Sequence, residues 1–147
     1  RVVEYSVQSN HLHLLVEAEG GRALSRGMNG FASRLGKRLN KLWKRHGPVL
    51  ADRYHSEPLR SPRQVRNALV YVLQNARKHG GWSARVPDGY SSGPDFDGWR
   101  RTGADSERGA VPRRRLARPR TWLLSVGWRR HGLIGLDERP AQRSRAA

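Results

Sequence analysis

The sequence predicts an α+β fold in which an antiparallel hairpin precedes two amphipathic helices and an irregular C-terminal extension with a short helix. Three observations predict it: apolar and polar residues alternate near the N-terminus, and two later stretches have apolar residues at helical spacing. The length of 147 residues suits one domain with an extension. Because the chain has no cysteine, disulfide bonds and thiolate zinc sites are excluded.

The first predicted element is a hairpin that ends near Ala18. Its first strand alternates from Val2 to Val7, and Gln8-Ser9-Asn10 supplies turn-forming side chains. The second strand places His11 and His13 on one face, about 6.6 to 7 Å apart along the strand. Two imidazoles that point the same way can hold one divalent metal ion. The residues expected to be buried on the opposite face are Leu12, Leu14 and Val16.

A long helix is predicted from about Arg22 to Arg45, after the break at Gly20-Gly21. Its apolar stripe consists of Leu24, Met28, Phe31, Leu35, Leu39 and Leu42. Its other face has no acidic residue and carries Arg22, Arg26, Arg34, Lys37, Arg38, Lys41, Lys44 and Arg45. Such a face is often only solvated surface. Eight uncompensated positive charges repel one another, however, and bound phosphates would relieve this repulsion, so contact with phosphates is the alternative.

Gly47-Pro48 ends this helix, and the segment Val49–Leu59 is expected to be extended. A second helix then begins with Ser61 at the N-cap, Pro62 at the first helical position and Gln64 reaching back. We expect it to run to about His79, before Gly80.

Tyr71 and Asn75 lie four residues apart in this second helix, on one face. At about 100° per residue, Tyr71 falls roughly 130° from the centre of the apolar side. That apolar side consists of Val65, Ala68, Leu69, Val72 and Ala76. The polar stripe around Tyr71 consists of Gln64, Asn67, Gln74, Asn75 and Lys78. This position favours a chemical role for the phenol over simple packing.

The net charge of +17 predicts a polyanionic partner, because each neutralised phosphate releases counterions. The basic residues are 4 lysines and therefore 25 arginines, and arginine favours bidentate and stacking contacts with nucleic acid. A codon bias that inflates arginine is an alternative cause. No apolar run approaches the roughly 20 residues that span a bilayer, and no signal peptide is visible. These features predict a soluble cytoplasmic protein, associated with the nucleoid.

Beyond Gly80 the periodicity is lost, and residues 81–118 are rich in Gly, Pro, Ser, Asp and Arg. The aromatic residues in this segment could stack on unpaired bases or anchor the segment to the domain; they are Trp82, Tyr90, Phe96 and Trp99. Arg113-Arg114-Arg115 is either solvated or in contact with phosphate. A short helix is expected between Arg120 and His131, closed by Gly132.

These motifs together resemble a known family. Asn-His-Leu-His-Leu-Leu-Val at residues 10–16, a basic helix, Arg-Tyr-His at 53–55 and Tyr-Val-Leu-Gln-Asn-Ala-Arg-Lys-His-Gly at 71–80 look like the single-tyrosine HUH transposases, particularly the REP-associated tyrosine transposases. The resemblance implies a ferredoxin-like antiparallel sheet with helices on one face. Residues 1–80 would form that domain, in part, and 81–147 the extension. The chain begins at Arg1 inside a strand pattern, so we expect the family's first strand and helix to be missing.

The resemblance also implies the chemistry. His11, His13 and Asn75 would bind Mg²⁺ or Mn²⁺, and Tyr71 would cleave and rejoin single-stranded or hairpin DNA through a 5′-phosphotyrosine intermediate. Relatives often have Met-Pro where this chain has Gln8-Ser9, and frequently glutamine as third ligand, so the choice between Asn75 and Gln74 stays open. The basic residues expected to contact the DNA are Arg26, Arg34, Lys37, Arg38, Lys41, Lys44, Arg45 and Lys78.

Two other functions remain open from the sequence. The chain could be a nucleic-acid-binding remnant that has lost its chemistry, or a metal-dependent hydrolase in which His11 and His13 activate water. A gel assay separates the three, since they give a covalent adduct, a shift without cleavage, or cleavage without an adduct. A homodimer and a monomer are equally compatible with the sequence.

Overall fold

The computed structural model describes residues 1–76, 86–100 and 116–140. Their regular elements, in chain order, are β1 (Val2–Val7), β2 (Leu12–Val16), α1 (Gly21–Leu42), α2 (Pro62–Leu73) and α3 (Trp122–Ser125), with short 3₁₀ helices at Gly93–Asp95 and Gly127–His131. The chain divides into two compact units, one of Arg1–Glu17 with Leu59–Ala147 and one of Ala18–Pro58. The α+β class is confirmed. A two-stranded sheet does not establish the ferredoxin-like topology, which stays a proposal.

The predicted hairpin forms, with β1 and β2 antiparallel and Ser6 opposite His13. A β-bulge between Val2 and Glu4 adds one residue to β1, so that both Val3 and Glu4 are buried, at 1% and 2% exposure. The simple alternation predicted for this strand is therefore interrupted. Val7, at the other end of β1, is 45% exposed.

The buried face of β2 is opposite to the predicted one. Leu15 belongs to the core, whereas the three residues expected to be buried are only partly covered; they are Leu12, Leu14 and Val16. Since side chains alternate along a strand, Leu15 shares its face with His13. Leu15 packs in one cluster with Leu69 and Leu73 of α2. The histidine face is thus the face that is turned towards α2.

The free edge of β1 is covered by a later segment. The backbone N–H of Val7 donates to Tyr90 O (2.8 Å), and that of Ser92 donates to Tyr5 O (3.0 Å). Ser6 and Ser91 form an antiparallel bridge between these bonds. Residues 90–92 therefore protect this edge from pairing with other chains.

The N-terminus of α2 has the predicted caps. Ser61 Oγ accepts a hydrogen bond from Gln64 N (3.2 Å), and Gln64 Oε1 accepts one from Arg60 N (2.8 Å). Pro62 occupies the first turn, where its missing N–H is not needed. The helix ends at Leu73 with Gln74 as its C-cap, earlier than the predicted end near His79, and residues 77–80 lie outside the described ranges.

The C-terminal part of the chain supplies much of the core. Phe96, Trp128 and Ile134 are at most 5% exposed and join the α2 cluster. Phe96 and Trp128 stack with ring centroids 5.7 Å apart, and a Cβ at Gly98 would lie 2.4 Å from Trp128, so only glycine fits there. Phe96 therefore anchors this segment to the core. Of the two roles predicted for it, anchoring and base stacking, the structure supports anchoring. The resemblance implied a domain of residues 1–80 followed by an extension, and this domain boundary stays a prediction.

The predicted helix between Arg120 and His131 forms as two short pieces. α3 and the following 3₁₀ helix are separated at Val126, whose φ of −128° departs from helical geometry. Gly132 ends the second piece with a φ of 84°, as the sequence predicted.

The unit Ala18–Pro58 consists of α1 and the segment that follows it. The predicted extended segment Val49–Leu59 forms no strand, because it has no ladder partner among the described residues. Tyr54 is instead held by a 2.9 Å hydrogen bond between its hydroxyl and Ser25 Oγ of α1.

Candidate active site

The two histidines of β2 converge at their outer nitrogens. His11 Nε2 and His13 Nε2 lie 3.0 Å apart, and the ring centroids are 4.6 Å apart with the planes at 81°. His11 is exposed and His13 is half-buried. The strand geometry predicted two imidazoles on one face, and the rings bend together further than the spacing of their backbones requires. The result is a two-nitrogen pair that faces solvent on one side.

Asn10 fixes the proton on His11. Its Oδ1 can only accept, so His11 Nδ1–H donates the 2.6 Å hydrogen bond that joins them. In a neutral His11 ring, Nε2 then carries a lone pair directed at His13. This is the tautomer that a metal ligand needs, and it is held by a neighbour in the sequence. Sequence reasoning used Asn10 only as a turn residue, although an Asx side chain next to a ligand is the signal that could have identified it.

Tyr71 meets the histidine pair from α2. Its ring lies 4.9 Å from the His13 ring, centroid to centroid, in an edge-on arrangement at 77°. Tyr71 is half-buried, whereas its helical neighbours Val70 and Val72 are in the interior, at 3% and 5% exposure. The phenol therefore lies at the border between core and solvent, beside an imidazole that belongs to the pair.

The stripe of α2 predicted to be polar is exposed at Gln64 and Asn67 but is covered towards its C-terminal end. Gln74 and Asn75 are 3% and 1% exposed. Gln74 Nε2 donates to Gly135 O (2.8 Å) and to Leu136 O (3.2 Å). This amide is committed to backbone carbonyls of the C-terminal segment, which favours Asn75 of the two alternatives for a third ligand.

Asn75 is a buried amide just beyond the C-cap of α2. Its Nδ2 has no hydrogen-bond partner among the residues that the structure describes, which is rare for a buried polar atom. Rotation of the amide by 180° exchanges its nitrogen and oxygen, which are similar in shape. The described contacts join His11 to His13 and His13 to Tyr71, and they do not join Asn75 to these three residues.

The two Nε2 atoms are at hydrogen-bond distance, 3.0 Å, so one ring donates its N–H proton to a hydrogen bond with the other. A divalent ion bound by both nitrogens would displace that proton, because a histidine ligand must offer a lone pair. Among residues 1–76, 86–100 and 116–140, no three His, Cys, Asp or Glu side chains form a group that could hold a metal.

Glu17 directly follows β2 in the sequence and is not part of the histidine pair. Glu17 accepts hydrogen bonds from the backbone N–H of Arg120 and Thr121 (3.0 and 2.8 Å), from the Thr121 hydroxyl (2.7 Å) and from Arg1 (2.5 Å). Burial favours the protonated form, but these donors outweigh it and lower the pKa of Glu17 to about 2. The carboxylate joins the hairpin to the start of α3.

The basic residues predicted to contact DNA are exposed wherever the structure describes them. Seven lie on α1 or directly after it, and their side chains are in solvent: Arg26, Arg34, Lys37, Arg38, Lys41, Lys44 and Arg45. Lys78 lies outside the described residues, as do Trp82 and Arg113-Arg114-Arg115. Tyr90 is 70% exposed, in contrast to buried Phe96.

Comparisons of the chain with models of protein families, with curated proteins and with solved structures found no match. In the part of the chain that the structure describes, no helix combines the length and the apolar character needed to cross a membrane. Three side chains meet at the hairpin and form the candidate site: His11, His13 and Tyr71.

Proposed function

We propose that this protein is a tyrosine transposase that cleaves and rejoins single-stranded or hairpin DNA, with Tyr71 as nucleophile and a Mg²⁺ or Mn²⁺ ion held by His11, His13 and Asn75. The observation that carries the proposal is the meeting of the His11–His13 pair with the Tyr71 ring, 4.9 Å from that of His13. Tyr71 lies 58 positions after His13 in the sequence. A purely structural role would not require a phenol and a convergent nitrogen pair at one place.

The chain's own residues perform the following steps. Tyr71 Oη attacks the phosphorus of a phosphodiester, and its proton is lost to solvent as the new O–P bond forms. The bond from phosphorus to the 3′ oxygen breaks, and that oxygen takes up a proton to become a 3′-hydroxyl. The DNA then remains joined to Tyr71 through its 5′ phosphate. Attack by a 3′-hydroxyl reverses the step, so rejoining needs no ATP.

The metal explains why a phenol suffices. A phenol has a pKa of about 10 and is a weak nucleophile at neutral pH. When bound, the divalent ion supplies electrophilic polarisation of the phosphate and neutralises the charge that develops on it. Two neutral imidazoles and an amide add no negative charge to the site. Asn10 keeps the His11 lone pair available, and α2 keeps the Tyr71 ring against His13.

The proposal is tested by a denaturing gel. The full chain is incubated with labelled single-stranded and hairpin DNA in Mn²⁺, and a covalent adduct that survives denaturation is the expected product. Tyr71→Phe removes only the hydroxyl and should abolish the adduct. Tyr90→Phe is the matched control, because Tyr90 is 70% exposed and lies in another segment. An adduct that persists in Tyr71→Phe would contradict the assignment.

The same gel separates the alternatives. A metal-dependent hydrolase would cleave DNA without an adduct, and Tyr71→Phe would leave its rate unchanged. A nucleic-acid-binding remnant would shift native DNA but never cleave it, with or without metal. His11→Ala combined with His13→Ala should abolish both adduct and cleavage if the imidazoles hold the ion.

A further inference from the structure

The end of α1 folds back on itself in a turn, here called the α1 hook, which comprises residues Lys37–Pro48. Asn40 Nδ2 donates to Gly47 O (2.7 Å), and Arg45 N donates to Asn40 O (3.0 Å). Lys44 has a φ of 50° and Gly47 a φ of 97°, which reverse the chain direction. The hook is therefore a defined turn, tied to the last turns of the helix by the side chain and the carbonyl of Asn40.

The hook borders an open basic cleft with a volume of about 500 Å³. The cleft is lined by Lys37, Asn40, Lys41, Lys44, Arg45 and His46. Within residues 1–76, 86–100 and 116–140, the salt bridges join other residues and none involves this basic group. The helix dipole favours a cation in the last turn of α1, where Lys41 lies. It does not explain the four further basic side chains at the cleft, which are Lys37, Lys44, Arg45 and His46.

Trp43 lies within this basic turn. It caps α1 through its backbone N–H, which donates to Leu39 O (2.9 Å), while its side chain points outwards with the residue 54% exposed. Half of a large aromatic surface in water is unfavourable for a free protein. Trp43 does not line the cleft, but it lies between Lys41 and Lys44 in the sequence. An exposed indole close to basic residues can bind unpaired nucleotides, because the charges bind phosphates and the ring stacks on a base.

We propose that the α1 hook is a binding site for unpaired DNA, in which the cleft holds the phosphate chain and Trp43 stacks on a base. DNA as the natural ligand rests on the function proposed above, whereas the site itself is built within the unit Ala18–Pro58. A single strand is favoured over duplex because a base face is available to an indole only when that base is unstacked. Vesicles with an anionic headgroup serve in the test as the alternative ligand.

The test measures binding without chemistry. Full-length Tyr71→Phe protein in EDTA is titrated with a labelled oligothymidine of about 15 nucleotides and with a duplex of equal length, by fluorescence anisotropy. Trp43→Ala should weaken binding of the single strand about tenfold, since stacking of a base on an aromatic ring contributes about 1–3 kcal/mol. Duplex binding should change less than about twofold. Trp122→Ala is the matched control, because Trp122 is also exposed, at 49%, but lies outside the hook.

A charge variant tests the cleft separately. Lys37→Gln combined with Lys41→Gln should weaken single-strand binding and reduce the slope of log affinity against log salt by about 1.4, at about 0.7 per lost phosphate contact. Both lysines are exposed on the helix surface, and a circular dichroism spectrum checks that α1 is retained.

Three results would overturn the proposal: equal effects of Trp43→Ala and Trp122→Ala, an unchanged salt slope in the lysine variant, or binding of vesicles containing phosphatidylglycerol that depends on Trp43 while the oligothymidine does not bind. The outcome is distinguishable from failure of the proposed function. Oligothymidine binding that depends on Trp43, together with no adduct from the native chain, would sustain the hook and reject the transposase.

Discussion

Four side chains are linked by three contacts at the hairpin: Asn10 orients His11, His11 meets His13, and His13 lies against Tyr71. Only the first two of these contacts are local in sequence. The side-chain period of a strand predicted that His11 and His13 share a face, whereas the contact with Tyr71 depends on how α2 packs on the hairpin.

The tautomer of His11 gives the first prediction. In metal-free protein at about pH 8.5, where an imidazole is neutral, nitrogen-15 NMR should show His11 protonated at Nδ1. Asn10→Ala should shift His11 towards the Nε2-protonated form and weaken Mn²⁺ binding about tenfold, the range found when a partner that orients a metal ligand is removed. Asn67→Ala, an exposed asparagine of α2, is the control. A His11 ring already protonated at Nε2 in the native chain would refute the assignment.

Glu17 gives a prediction about pH. Its pKa is lowered to about 2 from 4.5, so its stabilising effect is present above about pH 4.5 and is lost as the pH falls from there towards 2. Glu17→Gln should reduce the free energy of unfolding at pH 7 by about 1–2 kcal/mol, a value kept low because the group is partly solvated. The two proteins should converge in stability near pH 2.

Urea unfolding at both pH values checks this, with Glu19→Gln as control. Glu19 is exposed and only two residues away. Should Glu17→Gln and Glu19→Gln have the same effect at neutral pH, the bonds from Thr121 and Arg120 would have no measurable role in stability.

At the scale of elements, α2 is held from two sides. The hairpin packs on one side of it, and the C-terminal segment lies along the other. Arg66 donates to Glu138 through both of its terminal nitrogens (2.5 and 2.9 Å) and to Gly132 O through Nε (2.9 Å). The helix that carries Tyr71 therefore depends on a segment more than sixty residues later in the chain.

The planar guanidinium of Arg66 gives the third prediction. Arg66→Lys keeps the charge but loses the two-pronged contact, so it should lower the free energy of unfolding by about 2 kcal/mol. The Arg66 hydrogen bond is also the main cause that lowers the pKa of Glu138, and this stabilisation should disappear as acid protonates the carboxylate. Thermal unfolding compares Arg66→Lys with Arg63→Lys, an exposed arginine of the same helix. Equal melting temperatures in these two variants would show that the clamp is unimportant.

Elements defined by local signals were predictable. The capping of α2 by Ser61 and Gln64, the start of α1 and the hairpin all follow from side-chain patterns within a few residues. The bulge in β1 and the burial of Leu15 could not be predicted in this way, because they depend on which face α2 covers. The hydrogen bonds from the Gln74 side chain to the carbonyls of Gly135 and Leu136 are likewise not predictable locally, because they span 61 and 62 residues.

At the scale of the whole molecule, the proposed catalytic residues and the basic face of α1 lie in different units. The histidines and Tyr71 belong to the unit that contains the hairpin and α2, whereas the basic face of α1 belongs to the unit Ala18–Pro58. The net charge of +17 predicted a polyanionic partner without locating it. Phe96, which is 5% exposed, shows the limit of pattern reading, since a segment without periodicity supplies a core residue.

The central claim is that one of four tyrosines is the nucleophile, and peptide mapping of the trapped adduct tests it most directly. The covalent protein–DNA complex formed in Mn²⁺ is digested with nuclease and protease, and mass spectrometry locates the remaining phosphonucleotide. We expect it on Tyr71 alone, with none on Tyr5, Tyr54 or Tyr90. A phosphonucleotide on any of those three, or cleaved DNA with no modified tyrosine, would contradict the account.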